Sequence, residues 1–146
     1  MLKVVSKSTA DTEALGERIA SVLKGSEEIA LFGDLGAGKT AFTRGVCKGL
    51  GVIDGVSSPT FALVNAYRGK YPIYHFDMYR ITSVDDLFAI GFYDYLDTGV
   101  LIIEWSENIE DELEHNAIRI RIGKTDDENV RIFEIEGLDE YADIIG

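Results

Sequence analysis

The segment Gly33-Asp34-Leu35-Gly36-Ala37-Gly38-Lys39-Thr40 sets glycines, a lysine and a hydroxyl in the order G-x-x-x-x-G-K-[ST]. That spacing suits a loop wrapped around phosphate. Glycines let successive backbone N–H groups turn inward on phosphate oxygens, and the helix that follows adds partial positive charge at its N-terminus. Lys39 is then aimed at the β- and γ-phosphates, and the Thr40 hydroxyl at Mg²⁺. Gly33, Gly36, Ala37, Gly38, Lys39, Thr40 and Ala41 form the expected phosphate-binding set. The plain alternative is a glycine turn that does no more than cap a helix.

Three further segments carry groups that nucleotide chemistry needs. Ser57-Ser58-Pro59-Thr60-Phe61 is a polar turn before a β-rich run. A hydroxyl there, with Thr60 the candidate, can join the metal when a γ-phosphate orders the segment; an ordinary proline turn is the alternative. Asp77, in Tyr74-His75-Phe76-Asp77-Met78-Tyr79-Arg80, closes a β-rich run where an acid would hold Mg²⁺ directly or through water. Glu104 ends the apolar run Leu101-Ile102-Ile103. Open α/β sheets bind ligands at the carboxyl ends of their strands, so Glu104 is placed to ligate metal or orient attacking water. Both acids also admit the reading of a solvated strand end. The catalytic set is therefore Lys39, Asp77, Glu104 and Thr60, with Thr40 and Glu104 the expected metal ligands. His75 reads as a neutral, hydrogen-bonded strand residue, and two scattered histidines do not make a metal site.

These groups need a scaffold, and the patterning supplies one. Glu28 to Phe32 is a short apolar strand before the glycine loop, and Phe42, Val46 and Leu50 recur every four residues on the helix after it. Val4 and Val5 begin an edge strand. Ser8-Thr9-Ala10-Asp11 resembles a capping box ahead of a helix bearing Leu15, Ile19, Val22 and Leu23, with Gly25 as its stop. Thr60–Arg68 and Tyr71–Tyr79 form a hairpin about Gly69-Lys70, and Ser83 opens a short helix. Val100 to Trp105 is a strand. Ala117–Ile122 and Val130–Ile135 alternate as a solvent-facing hairpin, and Leu138–Ile145 is a short terminal helix. The expected class is α/β, a P-loop NTPase-like three-layer sandwich with a mixed central sheet and an antiparallel extension.

Composition narrows the class of partner. The 146 residues and 46% hydrophobic content suit one folded domain spanning 1–146. No apolar run approaches a membrane span, and the first residues lack the apolar stretch of a signal peptide, so a cytoplasmic location away from membranes is expected. One cysteine, Cys47, excludes an intrachain disulfide and a cysteine-rich metal site. Residues 1–80 hold ten Lys/Arg against eight Asp/Glu, whereas residues 81–146 hold four against eighteen. The second half repels a phosphate backbone, which argues against tight nucleic-acid binding by this chain alone. Little basic sequence remains for a phosphate-covering lid, which disfavours the small-molecule kinase kept as an alternative. No Asn-Lys-x-Asp word supports a regulatory GTPase.

The words Gly33–Thr40, Thr43-Arg44-Gly45, Ser58-Pro59-Thr60-Phe61-Ala62-Leu63-Val64, His75-Phe76-Asp77-Met78-Tyr79-Arg80 and Ile103-Glu104-Trp105-Ser106 occur here in one order. Together they resemble the TsaE (YjeE) family of bacterial P-loop ATPases, from about residue 8 to residue 107. Ala41 departs from the second threonine that the family often carries. The resemblance implies ATP and Mg²⁺ as cofactors and a modest ATPase acting in threonylcarbamoyladenosine (t6A) modification of tRNA. It implies TsaB and TsaD subunits as partners, with tRNA met only indirectly through the complex. It also places the region of Ser8 and Thr9 near the nucleoside, and this makes Thr9 a further candidate binding residue.

Overall fold

A computed structural model of the protein describes residues 1–33, 38–53 and 64–146. Seven strands form one mixed sheet: β1 (Leu2–Ser6), β2 (Glu28–Phe32), β3 (Val64–Arg68), β4 (Pro72–Asp77), β5 (Val100–Glu104), β6 (Ile118–Lys124) and β7 (Arg131–Glu136). Their spatial order is β1-β7-β6-β2-β5-β4-β3. β2 runs parallel to β5 and β6, and β4 parallel to β5, while β1–β7, β6–β7 and β3–β4 are antiparallel. β2 and β5 are buried at all five positions, as strands covered on both faces require.

Alternation along these strands feeds two cores. Ile29, Leu31, Ile73, Val100 and Ile102 pack with Leu15, Ile19, Phe42 and Val46 of helices α1 (Thr9–Ala20) and α2 (Lys39–Gly49). Ala30, Phe32, Phe76, Leu101 and Ile103 pack on the opposite face with Leu87 and Phe92 of the short helices α3 (Val84–Ala89) and α4 (Phe92–Tyr95). Helices therefore cover both faces, the three-layer α/β arrangement expected from the patterning.

Local chemistry sets where the elements begin and stop. Ser8 caps α1 by accepting the Asp11 N–H at 3.0 Å. The Asp11 carboxylate reaches back to the Lys7 N–H rather than to the cap residue itself. α1 ends at Ala20, short of Gly25, because Ser21 Oγ donates to the Arg18 carbonyl at 2.6 Å and the chain tightens into i→i−3 bonds. Leu23 is still buried beyond the helix. α1 and α2 meet backbone to backbone: a Cβ on Gly45 would overlap the Glu13 carbonyl, and one on Gly16 would lie 2.5 Å from the Phe42 carbonyl oxygen. That approach fixes the start of α2 against α1.

Three features differ from the sequence reading. The 117–135 hairpin does not stand off in solvent, because β6 is an interior strand hydrogen-bonded to β2, and Ile118, Ile120 and Ile122 are buried in the α1–α2 core. Only its Arg119/Arg121 face is outward. α4 and a 3₁₀ segment over Ser106–Glu112 were not foreseen; both lack the apolar periodicity of a longer helix. The terminal segment is split into a 3₁₀ turn, Asp139–Tyr141, and α5 (Ala142–Ile145).

Candidate functional site

The site lies at the carboxyl ends of β2, β4 and β5. Gly33 leaves β2 with φ of 143°, and a Cβ there would sit 2.7 Å from the Ile122 carbonyl oxygen, so only glycine fits the exit. Gly38 precedes α2 with φ of 99°. Among the described residues no side chain caps this helix and no acid lies in its first turn, which suits the helix end to an anion. Gly36, Ala37 and Thr60, named from the sequence, lie outside the described residues.

Lys39 is 4% exposed. Its ammonium donates to the Gly33 carbonyl at 2.7 Å and stands 4.4 Å from the centre of the Trp105 ring. Lys39 is thereby held between a carbonyl and an aromatic face, both contacts suited to a cation. Thr40 and Ala41 follow in the first turn of α2. Ala41 and Gly38 share the wall of a cleft of about 140 Å³ with Thr9 and Thr12 of α1, and Asn129 and Arg131 form its other wall. Thr9 is thus brought beside Gly38 and the first turn of α2. Asn129 and Arg131 were missed, since nothing in the sequence ties the β6–β7 turn to α1.

Two carboxylates face this end of the sheet. Asp77 and Glu104 are register partners on adjacent parallel strands. They share the sheet face of Ile73 and Ile102, which is the face covered by α2. Asp77 Oδ1 accepts the Tyr79 N–H at 2.9 Å. Glu104 is 6% exposed, and its Oε2 lies 2.7 Å from Nε2 of fully buried His75. Among the described residues its second oxygen has no protein partner.

The backbone beyond these acids is tied together. Met78 N–H donates to the Glu104 carbonyl at 3.0 Å, and Asn108 Nδ2 donates to the Met78 and Tyr79 carbonyls at 2.8 and 3.2 Å. Trp105 adopts a left-handed conformation, φ 58° and ψ 40°, and packs on Tyr79 with ring centres 5.0 Å apart. The turn swings the indole toward Lys39 immediately after the acid. Glu107 accepts the Gly33 N–H at 3.1 Å, a contact across 74 residues with no local sequence signal. Arg44 forms an ion pair with Glu13 of α1 at 2.7 Å.

The donor set fits a magnesium–nucleotide complex. Mg²⁺ takes few protein ligands beside phosphate oxygens and water, and those ligands are hard oxygens. A threonine hydroxyl on α2 and an uncommitted carboxylate oxygen on Glu104 meet that requirement. Among the described residues no group of three or more His, Cys, Asp or Glu is arranged to hold a metal by protein ligands alone.

A family model described as "Threonylcarbamoyl adenosine biosynthesis protein TsaE" matches residues 6–132. The chain belongs to the TsaE family. It is 37% identical over 132 residues to the tRNA threonylcarbamoyladenosine biosynthesis protein TsaE of Treponema pallidum, covering 90% of this chain and 98% of the relative. It is 43% identical over 108 residues to the Aquifex aeolicus protein of the same name, covering 72% of this chain and 77% of that one. The crystal structure of Bacillus subtilis YdiB superposes with a TM-score of 0.73 at 30% identity, over 99% of this chain and 90% of that one. TsaE membership ties the chain to threonylcarbamoyladenosine biosynthesis, and the match extends through β6 and into β7, beyond the residue-107 limit of the motif words. Among the described residues no helix is long and apolar enough to cross a membrane.

Proposed function

We propose that this chain binds ATP with Mg²⁺ and hydrolyses it in support of t6A formation on tRNA, acting in the cytoplasm as one domain together with TsaB and TsaD subunits. The observation that carries this reading is the pairing of Asp77 and Glu104 at adjacent strand ends, on the sheet face covered by the helix that starts at Lys39. Backbone amides of the loop and the start of α2 hold the phosphates. Lys39 exchanges the Gly33 carbonyl for the β- and γ-oxygens. Thr40 and Glu104 hold the metal, Asp77 acts through water, and Thr60 joins when nucleotide is bound. Mg²⁺ neutralises charge on the phosphates. Glu104 and Asp77 orient water for in-line attack, so the protein contributes position and electrostatic stabilisation. Thr9 and the cleft beside Ala41 are placed to take the nucleoside.

Family membership supports this reading over the small-molecule kinase, and the acidic second half supports leaving tRNA to the partners. Affinity capture of the native chain from its own cell extract, with and without ATP, tests it. TsaB and TsaD should be recovered in a nucleotide-dependent manner. Isolation of an activity that phosphorylates a metabolite, with neither subunit recovered, would contradict it.

A further inference from the structure

We infer that His75 is a positioning residue for Glu104. It fixes the carboxylate so that one oxygen remains for the metal or the attacking water, an inference that rests on the nucleotide reading above. β4 presents Ile73, His75 and Asp77 to one face of the sheet, and His75 is in register with Ile102. An aliphatic side chain would fill that position as Ile73 fills its own. Instead the chain buries an imidazole completely and, among the described residues, gives its Nδ1 no hydrogen-bond partner. Burying a polar group with one nitrogen orphaned is costly. Among the described residues the interaction that offsets that cost is the 2.7 Å contact from Nε2 to Glu104 Oε2.

An ionised carboxylate only accepts, so Nε2–H is the donor. The bond removes one of the two carboxylate oxygens from competition and holds the Glu104 side chain in one rotamer. Glu104 is nearly buried and ends a strand buried along its whole length. Its carboxylate therefore has little freedom beyond rotation about its own axis, and the bond to His75 fixes that rotation. Outer partners of this kind carry roughly 10- to 100-fold in metal affinity or activity.

The test uses the full chain, with Mn²⁺ as a spectroscopic probe and a non-hydrolysable ATP analogue. His75→Ala should lower Mn²⁺ affinity in the presence of the analogue about tenfold, while analogue affinity without metal stays within about twofold. Turnover should fall by a similar factor with little change in KM for ATP. His75→Gln places an N–H near the position of Nε2 and should recover most of both losses. A His75→Ala/Glu104→Ala double variant should be no worse than Glu104→Ala alone. Thermal melting separates a folding defect, and His75→Gln carries the test if the alanine variant does not fold. Wild-type Mn²⁺ affinity and turnover in His75→Ala would overturn the inference while leaving the ATPase reading intact. So would equal damage in His75→Gln and His75→Ala, or additive losses in the double variant. A wild-type chain that binds no metal–nucleotide would instead overturn the reading beneath it.

Discussion

Two glutamates sit at opposite ends of the parallel strands, each 6% exposed, and they live under different chemistry. Glu104 ends β5 at the carboxyl pole of the parallel strands and has a buried imidazole at 2.7 Å. Glu28 begins β2 at the far pole, beside a cavity of about 200 Å³ that Asp97 and Glu114 also line. One Glu28 oxygen accepts only a long 3.4 Å bond from the Glu114 N–H, and the other has no partner. The Glu28 carboxyl is pushed up to about 7, chiefly by burial, with the charges of Glu114 and Asp97 adding to the rise and the Glu114 N–H and Arg119 opposing it. A carboxylate given a dedicated donor is organised for use as an anion. A carboxylate buried without one burdens the fold. Burial alone therefore does not distinguish a working acid from a structural one; the partner does.

The largest effect should come from breaking the organised end. Glu104→Ala should lower turnover roughly a hundredfold or more, as removal of one electrostatic stabiliser does. Nucleotide binding should persist through the backbone cradle, because the lost group acts mainly in the transition state. Single-turnover phosphate release at saturating ATP reads this directly. Full activity would demote Glu104 to a strand-end residue and leave Asp77 as the leading acid.

The opposite end should answer only in stability. The folded state raises the Glu28 pKa above its unfolded value, so it binds a proton that the unfolded chain has already released. The Glu28 contribution to stability is then greatest below about pH 4.5 and falls as pH rises toward about 7. Glu28→Gln removes the penalty where it exists. It should raise the melting temperature at pH 8 by on the order of several degrees, and change it little near pH 4.5. ATP turnover should be unchanged. Equal gains at both pH values would show that charge at Glu28 is not what the fold resists.

The sequence disclosed the organised end far better than the other. The glycine loop, the acid two residues past His75 and the acid closing an apolar run are all local words, readable from spacing. The apolar runs of β2 and β5 and the four-residue spacing on α2 likewise exposed the core-facing residues and the α/β class. What remained hidden depends on register and long-range pairing. His75 and Glu104 are 29 residues apart, and only the parallel β4–β5 alignment makes them neighbours. Glu107 reaches Gly33 across 74 residues, and Trp105 turns toward Lys39 through a left-handed residue that no propensity favours. The interior place of β6 was missed for a similar reason: its alternating Arg119 and Arg121 suggest solvent, yet the opposite face completes the α1–α2 core. Glu28 reads as the polar start of a strand, and only its buried setting shows an acid whose protein contact among the described residues is one long bond.

Nucleotide recognition at the Lys39 end of the sheet is tested most directly by isothermal titration of ATP with Mg²⁺ into the wild-type and Lys39→Ala chains. Under the proposed function Lys39 is the side-chain cation that meets the β- and γ-oxygens, and charge-assisted bonds to phosphate are among the strongest polar contacts a protein makes. The wild-type chain should bind with a clear 1:1 isotherm, and Lys39→Ala should lose most of that affinity, at least about tenfold, with its melting temperature preserved. Unchanged affinity in Lys39→Ala would contradict the account.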